Sequence, residues 1–159
     1  MKKIASFTVN HLDLLAGIYV SRKDYLGDQV ITTFDLRFCR PNLEPSMDIA
    51  AMHAFEHLGA TFLRNHPLWG ERTIYFGPMG CRTGFYVLFS GDLDSSDIVS
   101  VVDELIAFVE AFEGAIPGAS ARDCGNYLDM NLPMAKYYAA KFRREVLEDL
   151  GDHRLQYPL

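Results

Sequence analysis

Hydrophobic and β-branched residues cluster or alternate over three early segments, 3–9, 17–22 and 29–39, which are predicted strands. The third is the clearest: in Q-V-I-T-T-F-D-L-R-F, Phe34, Leu36 and Phe38 share one face while Asp35 and Arg37 take the other. P-N-L-E-P (41–45) then breaks the chain. Beyond it the spacing turns helical from about 47 to 64, with Ser46 or Asp48 placed as N-cap and Pro67 just past the end. R-T-I-Y-F (72–76) and G-F-Y-V-L-F-S (84–90) read as two more strands, separated by the glycine-rich G-P-M-G-C-R-T-G. A second helix opens at Ser95 or Ser96 and runs to about 113, with Ile98, Val102, Leu105, Ile106, Val109 and Phe112 as one apolar stripe and Gly114 ending it. A third, opened by Asn131 with Pro133, spans Met134 to Leu150 and is closed by Gly151. Five short strands with hairpin-like spacing and three helices predict an α+β fold. It is a mostly antiparallel sheet with helices packed on it, in a single domain over 1–159.

Composition narrows the partners. Hydrophobic residues make up 49% and charged residues 23%, an ordinary globular balance that can bury a sizeable core. The net charge of −6 comes without any basic run, which argues against nucleic acid or an anionic membrane as partner. No uninterrupted apolar stretch approaches the roughly 20 residues of a membrane helix. The N-terminus carries two lysines but no apolar h-region before His11 and Asp13, so no signal peptide is expected. Three widely spaced cysteines, Cys39, Cys81 and Cys124, do not form a secreted disulfide framework, and the expected compartment is cytoplasmic.

One stretch departs from the pattern of a core helix. M-H-A-F-E-H-L-G-A, Met52 to Ala60, places His53 and His57 one turn apart, with Glu56 on the neighbouring row. A lone histidine there reads as a core-edge residue satisfied by a carbonyl; H-x-x-E-H on one face points to a metal ion. A helix supplies two ligands comfortably, so the third must come from elsewhere. Cys124, in R-D-C-G-N with Gly125 allowing a bend, is the best candidate, against the plainer reading of a half-buried thiol. Two imidazoles, a thiolate and one open position make a sensible catalytic set. Cys81 sits among three glycines and a proline; it is either a nucleophile or acid/base, its pKa lowered by Arg82 or the metal, or a small residue fitting a tight turn. Arg37 either anchors a carboxylate or lies on a solvated face, and Cys39 reads as a buried small hydrophobe. Ser6 and His11 carry no independent signal.

Together S-F-T-V-N-H (6–11), D-L-R-F-C-R-P-N (35–42), H-A-F-E-H (53–57), G-P-M-G-C-R-T-G-F-Y (77–86) and D-C-G-N (123–126) resemble the S-ribosylhomocysteine lyase family. They occur in the family's order across nearly the whole chain. The resemblance implies a metal-dependent, non-redox lyase that splits S-ribosylhomocysteine into homocysteine and 4,5-dihydroxy-2,3-pentanedione, the autoinducer-2 precursor. It implies Fe²⁺, with Zn²⁺ or Co²⁺ as substitutes, on His53, His57 and Cys124. Cys81 and Glu56 match the acid/base pair, and Ser6, His11 and Arg37 match substrate-contacting positions. It also implies a homodimer with active sites between subunits. Three places depart from the family pattern: Ala54-Phe55 inside the helical motif, Asn10 before His11, and Tyr75-Phe76-Gly77 where many members read Asp-Ile-Ser. The competing reading is an inverted-motif metallopeptidase, which uses a distant glutamate as third ligand. A metal-storing or structural module with the same three ligands is the non-enzymatic alternative.

Overall fold

Threonine, valine, isoleucine and aromatic residues give β1 (Gly17–Leu26) and β2 (Gln29–Arg37) their extended backbone, and Gly27, at φ 61°, makes the left-handed turn between them. This computed structural model describes residue 4 and residues 7–158. β3 (Thr73–Pro78) and β4 (Gly84–Ser90) complete an antiparallel sheet of order β1-β2-β4-β3, with β4 paired to both β2 and β3. The α+β reading therefore holds, with four strands among the described residues rather than five. Of the first predicted strand, residues 3, 5 and 6 lie outside the described part, and the described residues 7–13 form turns. There Asn10 Oδ1 accepts from the Leu12 N–H (3.1 Å) and its amide donates to Asp13 (2.7 Å). This local bonding gives the backbone an alternative to pairing with a neighbouring strand.

α1 (Ile49–Asn65) follows the break, capped by Asp48, whose carboxylate accepts from the Ala51 N–H at 3.0 Å. Ser95–Ile98 form a 3₁₀ turn that leads into α2 (Val99–Ala111). α3 (Leu132–Phe142) starts at Asn131, whose side chain accepts from the Met134 N–H, with Pro133 in the first turn. It ends sooner than its sequence suggests. Residues Arg143–Leu147 widen into a π turn, where Arg143 is tied to Asp103 and Glu110, both on α2; after Gly151 comes the short α4 (Asp152–Leu155).

Phe34, Leu36 and Phe38 face the helices, as the alternation predicts, and meet Phe55, Leu58 and the stripe Ile98, Val102, Leu105, Ile106 and Val109 in one core. Phe38 is its hub, with rings of Phe142 at 4.5 Å, Phe55 at 5.1 Å and Phe85 at 5.4 Å between centroids. The opposite sheet face is not the solvated one that alternation suggests. Asp35 and Arg37 are buried there, partly beneath the C-terminal segment, whose Tyr157 stacks on Tyr19 at 4.8 Å.

Because Phe38 joins the sheet to α1 and α3, Phe38→Ala is expected to cost about 3–5 kcal/mol, read as a lowered midpoint in urea unfolding. A loss under 1 kcal/mol would show that the cluster does not unite these elements.

Candidate metal centre and thiol pocket

The face of α1 that buries Ala51, Met52, Ala54, Phe55 and Leu58 turns His53, Glu56 and His57 away from the sheet, each half-buried. Ala54 and Phe55 are core residues, so this departure from the family's usual motif sits on the side remote from the ligands. His53 Nδ1 lies 2.9 Å from the Asp129 carbonyl oxygen, and His57 Nδ1 lies 2.7 Å from that of Pro117. A carbonyl only accepts, so each Nδ1 carries a proton there, and in the neutral ring Nε2 is the nitrogen with the lone pair. Cys124 Sγ stands 3.4 Å from His53 Nε2, and one donor atom from each of His53, His57 and Cys124 lies within 4.8 Å of the others. Two neutral imidazoles and a thiolate, with the far ring nitrogens tied to backbone, fit a single divalent ion with one position left for another ligand.

The loop after α2 does the positioning. Gly118, at φ 71°, holds a conformation that side chains rarely adopt, and a Cβ there would come within 3.2 Å of His57 Nδ1. Gly114 and Gly118, and not Gly125, are the positive-φ glycines of this loop. The Cys124 N–H bonds to the Ser120 carbonyl at 3.0 Å, and the sulfur accepts from the Asn126 N–H at 3.4 Å.

Cys81 lies elsewhere, on the loop between β3 and β4. Arg82 takes the left-handed conformation (φ 59°) that its glycine neighbours do not need. Gly84 is required for another reason: a Cβ would collide with the Leu36 carbonyl on β2. The Thr83 carbonyl accepts from the N–H groups of Phe38 and Cys39, at 2.8 and 3.0 Å, and so pins the loop to the end of β2. At Tyr75-Phe76-Gly77, the ring of Tyr75 folds over Gly77 into space that a side chain would fill.

Arg37 is not on a solvated face. It is 4% exposed and pairs through Nε and Nη2 with the fully buried Asp35, whose Oδ2 also accepts from the Tyr157 hydroxyl at 2.8 Å. Its remaining arm, Nη1, reaches Thr83 Oγ1 at 2.5 Å and points toward Cys81 Sγ at 3.8 Å. The carboxylate that Arg37 anchors is thus one of the chain's own. Burial pushes the Asp35 carboxyl up, and the Arg37 charge and the donated hydrogen bonds oppose that rise. Burial also pushes the Cys81 thiol up, but the hydroxyl and backbone N–H of Thr83 and the Arg37 charge outweigh it and hold the thiol below its ordinary value. Cys39 shows the contrast: buried without such donors, its thiol is pushed up to about 11.

A cavity of about 350 Å³ joins His11, Arg37, Glu44, Ser46, Cys81 and Thr83 among its walls. Ser6 lies outside the described residues. His53, Glu56, His57 and Cys124 do not line this cavity, so one chain presents the candidate metal-binding cluster and the thiol as two separate groups. Several residues that shape these groups carry no role in the sequence reading: Asp35, Thr83, Tyr157 and the carbonyls of Pro117 and Asp129. The one signal for Asp35 was its place two residues from Arg37 on a strand, where both side chains share a face.

The chain matches the family described as S-ribosylhomocysteinase (LuxS) over residues 4–152. Relatives named S-ribosylhomocysteine lyase include those of Clostridium beijerinckii, 63% identical over 158 residues, and Clostridium acetobutylicum, 61% identical over 158; each alignment covers 99% of both chains. That of Phocaeicola vulgatus is 54% identical, covering 99% of this chain and 98% of its own. The chain belongs to the S-ribosylhomocysteinase family. Membership and the His₂Cys donor set together leave the metallopeptidase reading without its third ligand, since among the described residues no glutamate joins His53 and His57 in the cluster.

Replacing Arg37 with methionine leaves Asp35 buried without its cation, and about 3–5 kcal/mol of stability is expected to be lost at neutral pH. Asp35 is an acid raised by burial, so the penalty falls on its ionised form. The loss should therefore grow as pH rises above the ordinary carboxylate value and shrink as acid protonates Asp35. Urea midpoints across pH 4–8 check this; a loss independent of pH would remove the pairing from the account.

Proposed function

We propose that this chain is a metal-dependent carbon–sulfur lyase that cleaves S-ribosylhomocysteine to homocysteine and 4,5-dihydroxy-2,3-pentanedione. The observation that carries the reading is the cluster of His53, His57 and Cys124, three donors fit to hold one ion, in the same chain as a thiol flanked by Thr83 and Arg37. A water-activating hydrolase would give that thiol no task. A structural zinc site would be closed by a fourth protein ligand, which the described His/Cys cluster lacks.

The chemistry follows from the substrate. Its sugar carbonyl must migrate from C1 to C3 before the thioether at C5 lies β to it, and each shift removes a proton from a carbon next to C=O. A divalent ion on His53, His57 and Cys124 supplies Lewis-acid polarisation of the substrate's oxygens. Cys81 as thiolate and Glu56 as carboxylate carry protons between carbon and oxygen. The final step takes a proton from C4 as the C5–S bond breaks; homocysteine leaves through sulfur, and the enol left behind becomes the diketone. No oxidant is consumed. Fe²⁺ is the proposed ion, with Zn²⁺ or Co²⁺ able to replace it, and His11, Arg37 and Ser6 are the proposed substrate contacts.

The proposed assembly is a homodimer that builds each site from both subunits. Two observations support it. The metal ligands and the thiol cavity are separate within one chain. The sheet face away from the helices also offers a cavity of about 280 Å³ walled by Tyr75, Tyr86 and Leu88. Three free cysteines fit a reducing cytoplasm, and no helix of the described residues is long and apolar enough to cross a membrane. The product would serve as the autoinducer-2 precursor.

Glu56→Gln and Cys81→Ala are each expected to abolish homocysteine release while keeping the bound metal, whereas His57→Ala loses both; thiol release and elemental analysis check this. Retained turnover in either of the first two variants would sink the acid/base assignment. Mixing Cys81→Ala with His57→Ala under subunit exchange should restore about a quarter of the normal activity, since half of the dimers then carry one intact site. No recovery, with exchange demonstrated, would place each site within one chain.

A further inference from the structure

We infer that Thr83 is the positioning residue of the thiol: its hydroxyl joins the Arg37 guanidinium to Cys81 sulfur and holds that sulfur as an oriented thiolate. This rests on the reading of Cys81 as a proton carrier, and it gives a role to a residue of the 77–86 motif that the sequence reading left without one.

Hydrogen-bond direction carries the argument. Arg37 has donors and no acceptor, so the contact from its Nη1 to Thr83 Oγ1 (2.5 Å) makes the hydroxyl oxygen an acceptor. The hydroxyl proton is then free to point only at another acceptor, and Cys81 Sγ stands 3.0 Å from the same oxygen. With Cys81 as thiolate, which has no proton to give, the chain runs from Nη1–H to Oγ1, and from Oγ1–H to Sγ. Each donor polarises the next, so the sulfur receives a strengthened bond that favours its anionic form. The direct approach of Arg37, at 3.8 Å from Sγ, is longer. Thr83 Oγ1 is thus the nearer polar contact and the one that fixes the sulfur's bearing.

Everything behind Thr83 keeps this order. Asp35 occupies Nε and Nη2 of Arg37, so only Nη1 faces the loop. Tyr157 donates to Asp35, and burial and the Asp35 charge both push its hydroxyl up, which keeps it a donor. The Thr83 side chain is 7% exposed, and its backbone carbonyl is held by Phe38 and Cys39 whatever the side chain. The other charged or titratable groups near Cys81 are Arg82 beside it, His11 and Glu44 on the cavity wall, and Tyr86 on β4. These stay the same when Thr83 alone is changed, so they cancel in a comparison of variants.

The test is the pH profile of Cys81 alkylation by iodoacetamide in the zinc-loaded full chain, with the modified cysteine identified by peptide mass mapping. Thr83→Val keeps the shape and removes the hydroxyl. It is expected to raise the alkylation midpoint by about one pH unit and to slow alkylation about tenfold below that midpoint. Thr83→Ser keeps the hydroxyl and should restore the parent profile. Zinc content should be unchanged in both. If Thr83→Val does not fold, Thr83→Ala removes the same hydroxyl without the branched methyl and is read the same way. A midpoint shared by the hydroxyl-free variant and the parent overturns the inference, as does a Thr83→Ser profile displaced as far as that of valine. Because alkylation needs no substrate, its outcome is independent of homocysteine release. An unchanged profile would refute the role of Thr83, whereas a shifted profile in a chain that never releases homocysteine would refute the lyase reading and leave Thr83 in place.

Discussion

The interlock of Phe38 on the sheet with Phe55 on α1 and Phe142 on α3 is the constraint on which the rest of this molecule depends. Aromatic rings meeting edge to face or tilted at about 5 Å fix both the distance and the rotation of the helices on the sheet. With Phe55 turned inward, the helical period leaves His53, Glu56 and His57 only the outward side. Rotating α1 by one residue position would send Phe55 toward the loop and a histidine into the core. Core packing and site geometry are therefore two consequences of a single helix orientation.

Polar groups are handled differently at the two places that matter. At the candidate metal centre the loop between α2 and α3 lends its carbonyls, which set the tautomer of both histidines without introducing a charge. At the thiol the structure uses charge, but shields it. Asp35 and Arg37 neutralise one another within the sheet, and a single guanidinium arm is left to act through Thr83. A bare buried arginine would be costly, and one fully satisfied by carboxylates would have nothing to offer a thiolate. The arrangement lies between those extremes.

The family comparisons and the local chemistry support each other at different levels. Similarity over nearly the entire chain establishes membership. The departures from the usual pattern have separate local settings. Ala54 and Phe55 are core residues, Asn10 closes a local turn, and Gly77 makes room for the ring of Tyr75.

Much of the fold was legible in the sequence because it depends on short-range periodicity. The helix of the H-x-x-E-H motif, the Asp48 and Asn131 caps and the inward face of β2 all follow from spacing within one element. Of the first segment, the described residues 7–9 turn rather than extend, and the Phe7 N–H bonds locally to the Ile4 carbonyl. The grouping of His53, His57 and Cys124 was expected from residue type and helical spacing, and the structure brings the three side chains together. What tertiary structure alone decided is which distant groups meet. It brought the Pro117 and Asp129 carbonyls to the histidines, buried Arg37 against Asp35 under Tyr157, and set Thr83 between guanidinium and sulfur. No local pattern encodes those meetings, because carbonyls are carried by every residue, and an exposed strand face and a covered one have the same alternation until another segment lies across it.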